Sequence, residues 1–123
     1  MSNILRGLLI RTPWIDKIFS GSKTWEIRGS STNIRGRIAL IRSGSGLVIG
    51  TCELVDVMGP LDLSQMKASV DKHQIPASAL EQRLPYKKTF AWTLKNPVLF
   101  SKPIPYQHPA GAIIWVKLEN LNL

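Results

Sequence analysis

A chain of 123 residues has room for one domain and one hydrophobic core, which excludes a second independently folded unit. The single cysteine, Cys52, has no partner for an internal disulfide, and no apolar run approaches the roughly 20 residues that a membrane-spanning helix needs. Sixteen Lys and Arg against eight Asp and Glu give a net charge of +8 and an isoelectric point near 10.1, a surplus that attracts polyanions by releasing their counterions.

That surplus is segregated along the chain. No acid lies between Glu26 and Glu53, where Arg28, Arg35, Arg37 and Arg42 fall, and none between Glu81 and Glu119, where Arg83, Lys87, Lys88, Lys95, Lys102 and Lys117 fall. Nucleic acid is therefore the expected partner. A membrane surface is not, because no segment reads as a long basic amphipathic helix. Met1 to Gly7 lacks a long apolar core behind a basic start, so the chain is expected to be soluble and cytoplasmic; one domain over residues 1–123, as a monomer, is the expected organisation.

In chain order, residues 5–10 (LRGLLI) read as a first strand. Thr12 suits an N-cap and Pro13 the first helical position; Trp14/Ile18 and Ile15/Phe19 recur at i, i+4, and Gly21 can close the helix, which predicts a short helix over 12–20. From Thr24 the chain reads as extended to Arg28. Alternation places Thr24, Glu26 and Arg28 on one face and Trp25 and Ile27 on the other, so the charged pair is expected on the wetter side. Lys23 has the other parity but sits at the bend, where parity constrains direction weakly.

Residues 30–33 are a polar loop, and 36–42 and 47–57 are two strands of half-buried alternation joined by the Ser43-Gly44-Ser45-Gly46 turn. Gly59-Pro60 ends the second of these. Asp62 can cap a helix carrying Leu63, Met66 and Val70 on one face, and Pro76 starts another with Leu80 and Leu84, which stops at Pro85. Residues 89–94 form a strand broken near Asn96-Pro97, and 112–118 close the chain. The class expected is α+β: a mixed, closed or nearly closed β-barrel of about six strands with two or three short helices, Cys52 being a buried strand residue.

The chemistry concentrates in Gly21-Ser22-Lys23-Thr24-Trp25-Glu26-Ile27-Arg28, which brings a lysine, a glutamate and an arginine together where helix gives way to strand. An adjacent glutamate favours the ammonium of Lys23, so the pair reads as a recognition pair; Glu26 could also serve as a base with Lys23 and Arg28 stabilising a phosphate. Trp14 and Trp92 are candidate stacking platforms, each base stacked being worth about 1–3 kcal/mol. Arg35, Arg37, Arg42, the Ser43 turn and Tyr86-Lys87-Lys88 are candidate backbone contacts. His73 and His108 have no metal-ligand spacing and read as surface or loop residues; neither a bound metal nor a cofactor is expected.

This motif, G-x-K-x-x-E-x-R after a short Pro-Trp helix, resembles the signature of the ASCH domain family. That family is a small β-barrel of the PUA-like superfamily, together with the pseudouridine-synthase-associated, EVE and YTH domains. The resemblance extends through Arg35-Gly36-Arg37, the 38–50 strands, Phe90-Ala91-Trp92, Lys102-Pro103-Ile104-Pro105-Tyr106 and Gly111 to Trp115. It implies an RNA- or nucleotide-binding cleft edged by the motif, with ribonuclease activity as one form of chemistry. It also implies two alternatives: an amidohydrolase of the N4-acetylcytidine type, and a protein-interaction adaptor in transcription or RNA metabolism. Lys23 matches the lysine of the amidohydrolases. Their threonine position carries Glu26 here, however, and their distal glutamate falls in Asp71-Lys72-His73-Gln74.

Overall fold

The computed structural model describes residues 5–83 and 87–119. Its strands are β1 (Leu5–Ile10), β2 (Trp25–Arg28), β3 (Gly36–Arg42), β4 (Leu47–Met58), β5 (Phe90–Pro105) and β6 (Trp115–Leu118). Helix α1 (Trp14–Phe19) precedes β2, while α2 (Leu63–Lys67), α3 (Val70–His73) and α4 (Ala77–Arg83) form an insert between β4 and β5. The six strands make one mixed sheet in the order β2-β5-β4-β3-β1-β6, parallel between β1 and β3 and antiparallel in its other ladders.

The α+β class and the six strands are those the sequence implied. The sheet is open, however: β2 and β6 stand at its two ends, and backbone pairing does not close it into a barrel. At the β2 end the insert supplies cover, since Thr24 N–H donates to the Lys72 carbonyl at 2.9 Å.

Both faces of the central strands are buried. Ile38, Ala39, Leu40 and Ile41 are all at 1 % exposure or less, so β3 is not the half-buried strand that alternation suggested. Leu8, Ile10, Ile38, Leu40 and Trp92 pack with Ile15 and Ile18 of α1 on one face. Leu9, Ala39, Ile41, Val48 and Val116 pack on the other. A third cluster, Ile27, Met66, Leu80 and Ala91, lies beneath the helical insert. Strands covered on both faces read as continuous apolar runs, which explains Leu8-Leu9-Ile10 and Ile38-Ala39-Leu40-Ile41.

Several local expectations change. Thr12 does not cap α1; Pro13 holds the N-cap position, and the Thr12 hydroxyl accepts from Arg42 Nη1 at 2.7 Å. Asp62 does cap α2, in a reciprocal box with Gln65, but Leu63 stays 39 % exposed and only Met66 of that helix is buried. The strand expected to break at Asn96-Pro97 continues to Pro105. Asn96 takes a left-handed φ of 53°, and shifts of register against β4 absorb the bend. Leu84 and Pro85, the expected stop of α4, lie outside the described residues.

Gly50 of β4 faces both β5 and α1 closely: a methyl group there would collide with the Val98 carbonyl oxygen and the Phe19 ring. Gly7 of β1 would meet the Ile41 Cδ1 methyl, the far end of a flexible side chain. Gly50→Ala is expected to cost about 1–3 kcal/mol, as overpacking against a backbone group does, and Gly7→Ala less. Urea unfolding of both variants checks this; a larger loss in Gly7→Ala would contradict the packing described.

Candidate functional site

A cleft of about 1150 Å³ opens between the end of β1, α1, the 43–46 turn, the helical insert and the β5–β6 connection. Lys23, Glu26 and Arg28 all line it. Their placement follows from the turn after α1. Gly21, at φ +86°, closes the helix, Lys23 N–H donates to the Lys17 carbonyl at 3.0 Å, and Thr24 is held by Lys72 of α3. The turn is thus tied to α1 and to the insert, and it aims Lys23 into the face that strand parity gives to Glu26 and Arg28.

That face is not wet. Lys23 is 2 % and Glu26 6 % exposed. Lys23 Nζ donates to the His73 carbonyl at 2.7 Å, stands 3.7 Å from Glu26 Oε1 and lies 5.0 Å from the centre of the Trp14 ring. Glu26 Oε2 accepts from Arg28 Nη2 at 2.8 Å and Nε at 3.1 Å, and Arg28 Nη2 also donates to the Leu9 carbonyl at 2.7 Å. A guanidinium fork therefore fixes the carboxylate, and the carboxylate leaves its second oxygen to the lysine.

Burial pulls the Lys23 pKa from 10.5 down to about 8, with Glu26 opposing the fall and the Arg28 and Lys17 charges adding to it. This reverses the balance expected from sequence. An adjacent carboxylate does favour the ammonium, but loss of solvent outweighs one carboxylate that is shared with Arg28.

His73 is a core residue, not the surface histidine expected: it is fully buried. Its Nδ1 accepts from Ile75 N–H at 2.9 Å, and its Nε2–H then donates to the Met66 carbonyl at 2.7 Å. Burial lowers its pKa, the Met66 carbonyl opposing and the Lys23 charge adding. A neutral ring so held sets the position of the carbonyl that receives Lys23.

The other candidates divide. Trp14 lines the cleft half-buried, and Ser43 lines it exposed beside Gly44 and Gly46. Trp92 does not serve as a platform: it is 1 % exposed, stacks on Trp115 at 5.7 Å, lies 5.7 Å from the Arg28 guanidinium and donates Nε1–H to the Ser30 carbonyl at 2.9 Å. Arg42 is engaged by Asp16, at 2.7 and 3.1 Å, and by Thr12, which clips α1 to the end of β3. Arg35 folds back on the Thr32 and Ile34 carbonyls. Arg35, Arg37, Lys87 and Lys88 are exposed and outside the cleft lining; Tyr86 lies outside the described residues. Among the described residues, no three His, Cys, Asp or Glu side chains gather as a metal site would require.

Among the polar and charged residues that line the cleft, Arg11, Tyr106 and His108 were not proposed as site residues from sequence. Tyr106 and His108 are a hydrogen-bonded pair at 2.8 Å. The available signal was Tyr106-Gln107-His108, an aromatic and an imidazole two positions apart directly after a proline-ended strand.

The model of the ASCH domain family matches residues 8–104. No curated protein matches the chain. Among solved structures, the ASCH protein from Zymomonas mobilis superposes with a TM-score of 0.68 at 17 % identity, over 94 % of this chain and 87 % of that one. Two single-residue variants of that protein give TM-scores of 0.70 and 0.68 at 18 % and 17 % identity, over 94 % of this chain and 88 % and 90 % of theirs. At such identities the likeness is one of fold.

The lowered Lys23 pKa fixes how stability varies with pH. Below about 8 both folded and unfolded states carry the ammonium, and the folded state bears its full desolvation. Between about 8 and 10.5 the unfolded chain holds a proton that the folded one has released, so stability rises with pH. Relative to Lys23→Met, which lacks the group, wild type should gain on the order of 3 kcal/mol from pH 7 to 10.5. Parallel stability curves in urea across that range would contradict it.

Proposed function

The chain belongs to the ASCH domain family, and from that premise we propose that it binds RNA in the cleft and cleaves it there. The observation that carries this reading is the buried set at the cleft wall: a lysine titrating near 8, a carboxylate beside it and a guanidinium that orients the carboxylate. At neutral pH Lys23 is largely an ammonium, yet its proton is held less firmly than on a solvated lysine. Such a group can stabilise a phosphate and give a proton to a leaving oxygen. The net charge of +8 supports a polyanionic ligand, and the Trp14 ring at the wall supports a stacked base.

Glu26 suits a positioning role better than the role of base. Its Oε2 takes both Arg28 donors and its Oε1 faces Lys23, so the carboxylate holds the two cations in register. The amidohydrolase alternative calls on the same lysine with a distal carboxylate. In this chain the insert meets Lys23 with the His73 carbonyl, while Asp71 is exposed.

Labelled single-stranded RNA and N4-acetylcytidine, each incubated with wild type, Lys23→Ala and Glu26→Gln, test the proposal. RNA should bind less tightly as salt is raised, and wild type should cut it. Lys23→Ala should bind more weakly and cut about 10²- to 10⁴-fold more slowly, the span usual for loss of a general acid or base. Because the ammonium is the active form, kcat/KM should fall as pH rises through about 8. Turnover of N4-acetylcytidine alone, or cutting by Lys23→Ala at the wild-type rate, would overturn the reading.

A further inference from the structure

The cationic wall supplies donors and a carboxylate already engaged; it leaves the cleft in need of a group that accepts a proton. The β5–β6 connection provides one. Tyr106 and His108 both line the cleft, their rings edge to face at 5.8 Å. His108 Nε2 lies 2.9 Å from the Ala112 carbonyl oxygen, which can only accept, so Nε2 carries the proton. In the neutral ring Nδ1 is then an acceptor, and the Tyr106 hydroxyl at 2.8 Å donates to it. The phenol proton is thereby turned toward His108, and the phenol oxygen keeps its lone pairs for a ligand.

The backbone fixes this arrangement. Tyr106 N–H donates to the Gly46 carbonyl at 3.1 Å, tying the pair to the 43–46 turn, and Leu9 N–H donates to the Ile114 carbonyl at 3.0 Å, tying the far end of the connection to β1. Gly111, at φ +81°, turns the chain so that Ala112 meets the imidazole. Burial raises the Tyr106 pKa, so the phenol keeps its proton at rest and releases it only as another arrives. The ionisable groups sharing a cavity with the pair are Arg11, Lys23, Glu26 and Arg28 in the cleft, and Lys117 and Glu119 in a smaller cavity that also touches Tyr106.

We propose that Tyr106, relayed to His108, is the general base for cleavage in this cleft, with the ribose 2′-hydroxyl as the group it deprotonates; this rests on the ribonuclease reading above. The 2′-hydroxyl proton passes to the Tyr106 oxygen as the Tyr106 proton passes to His108 Nδ1. The 2′-oxygen bonds to phosphorus, the bond from phosphorus to the 5′-oxygen breaks, and the leaving oxygen takes a proton from Lys23 Nζ. The products are a 2′,3′-cyclic phosphate and a 5′-hydroxyl, and exchange with water returns the proton from imidazolium to lysine. The substrate class is accordingly RNA, since DNA lacks the attacking group.

Tyr106→Phe and His108→Asn separate this role from a structural one. Asparagine can still accept the Tyr106 hydroxyl but takes no proton from it. Both variants should bind a 2′-deoxy analogue of the RNA within about threefold of wild type while cutting RNA about 10²- to 10⁴-fold more slowly. His108→Gly should regain activity with added imidazole. His108→Asn cutting at the wild-type rate, binding lost together with cleavage in both variants, or product ends carrying a 5′-phosphate would overturn the assignment while leaving RNA cleavage by the protein intact. A wild type that binds RNA but cuts none would instead overturn the ribonuclease reading, and this base with it.

Discussion

Lys23 Nζ sits between the Trp14 ring, the His73 carbonyl and Glu26 Oε1, in a place that water barely reaches. The ordering of the cleft can be traced from that burial. Taking an ammonium out of water is costly, and one carboxylate shared with an arginine offsets only part of it. The remaining imbalance makes the lysine proton labile near neutral pH. An exposed lysine in the same motif would be a strongly hydrated point charge with ordinary affinity for its proton.

Keeping the lysine there requires three separate elements. Helix α1 supplies Trp14 and, through the Lys17 carbonyl, one anchor for the turn. The helical insert supplies a second anchor at Lys72 and the His73 carbonyl, whose position depends on an imidazole satisfied at both nitrogens. Strand β2 supplies Glu26 and Arg28, and Arg28 in turn reaches the Leu9 carbonyl on β1. β1 is four strands away from β2 in the sheet, so this single guanidinium links the sheet end to the strand beside β6. An open sheet thereby gains a side-chain bridge where backbone pairing does not close it.

Much of this was legible in the chain itself. The Gly21 to Arg28 motif located the helix-to-strand junction, and period-two alternation put Glu26 and Arg28 on one face. Asp62 as a cap marked the start of α2 correctly. What could not be read was which faces are covered. The same alternation that paired Glu26 with Arg28 suggested a wet face, whereas Trp14 of α1 and the His73 carbonyl of the insert cover Lys23 there, the latter from fifty residues away. Trp92 and His73 were misjudged for the same reason, since neither a tryptophan buried by Trp115 and Ser30 nor a histidine satisfied by Met66 and Ile75 announces its partners locally. Desolvation depends on tertiary cover, so the sign of its contest with Glu26 was beyond the reach of spacing.

The titration of Lys23 itself tests this account most directly, followed through its side-chain nitrogen by NMR with selective assignment from Lys23→Met. The account requires a midpoint near 8, set by burial against the His73 carbonyl and Trp14. A midpoint at the ordinary lysine value of 10.5 would contradict it, and would mean that the ammonium at the cleft wall is solvated and Glu26 its dominant neighbour.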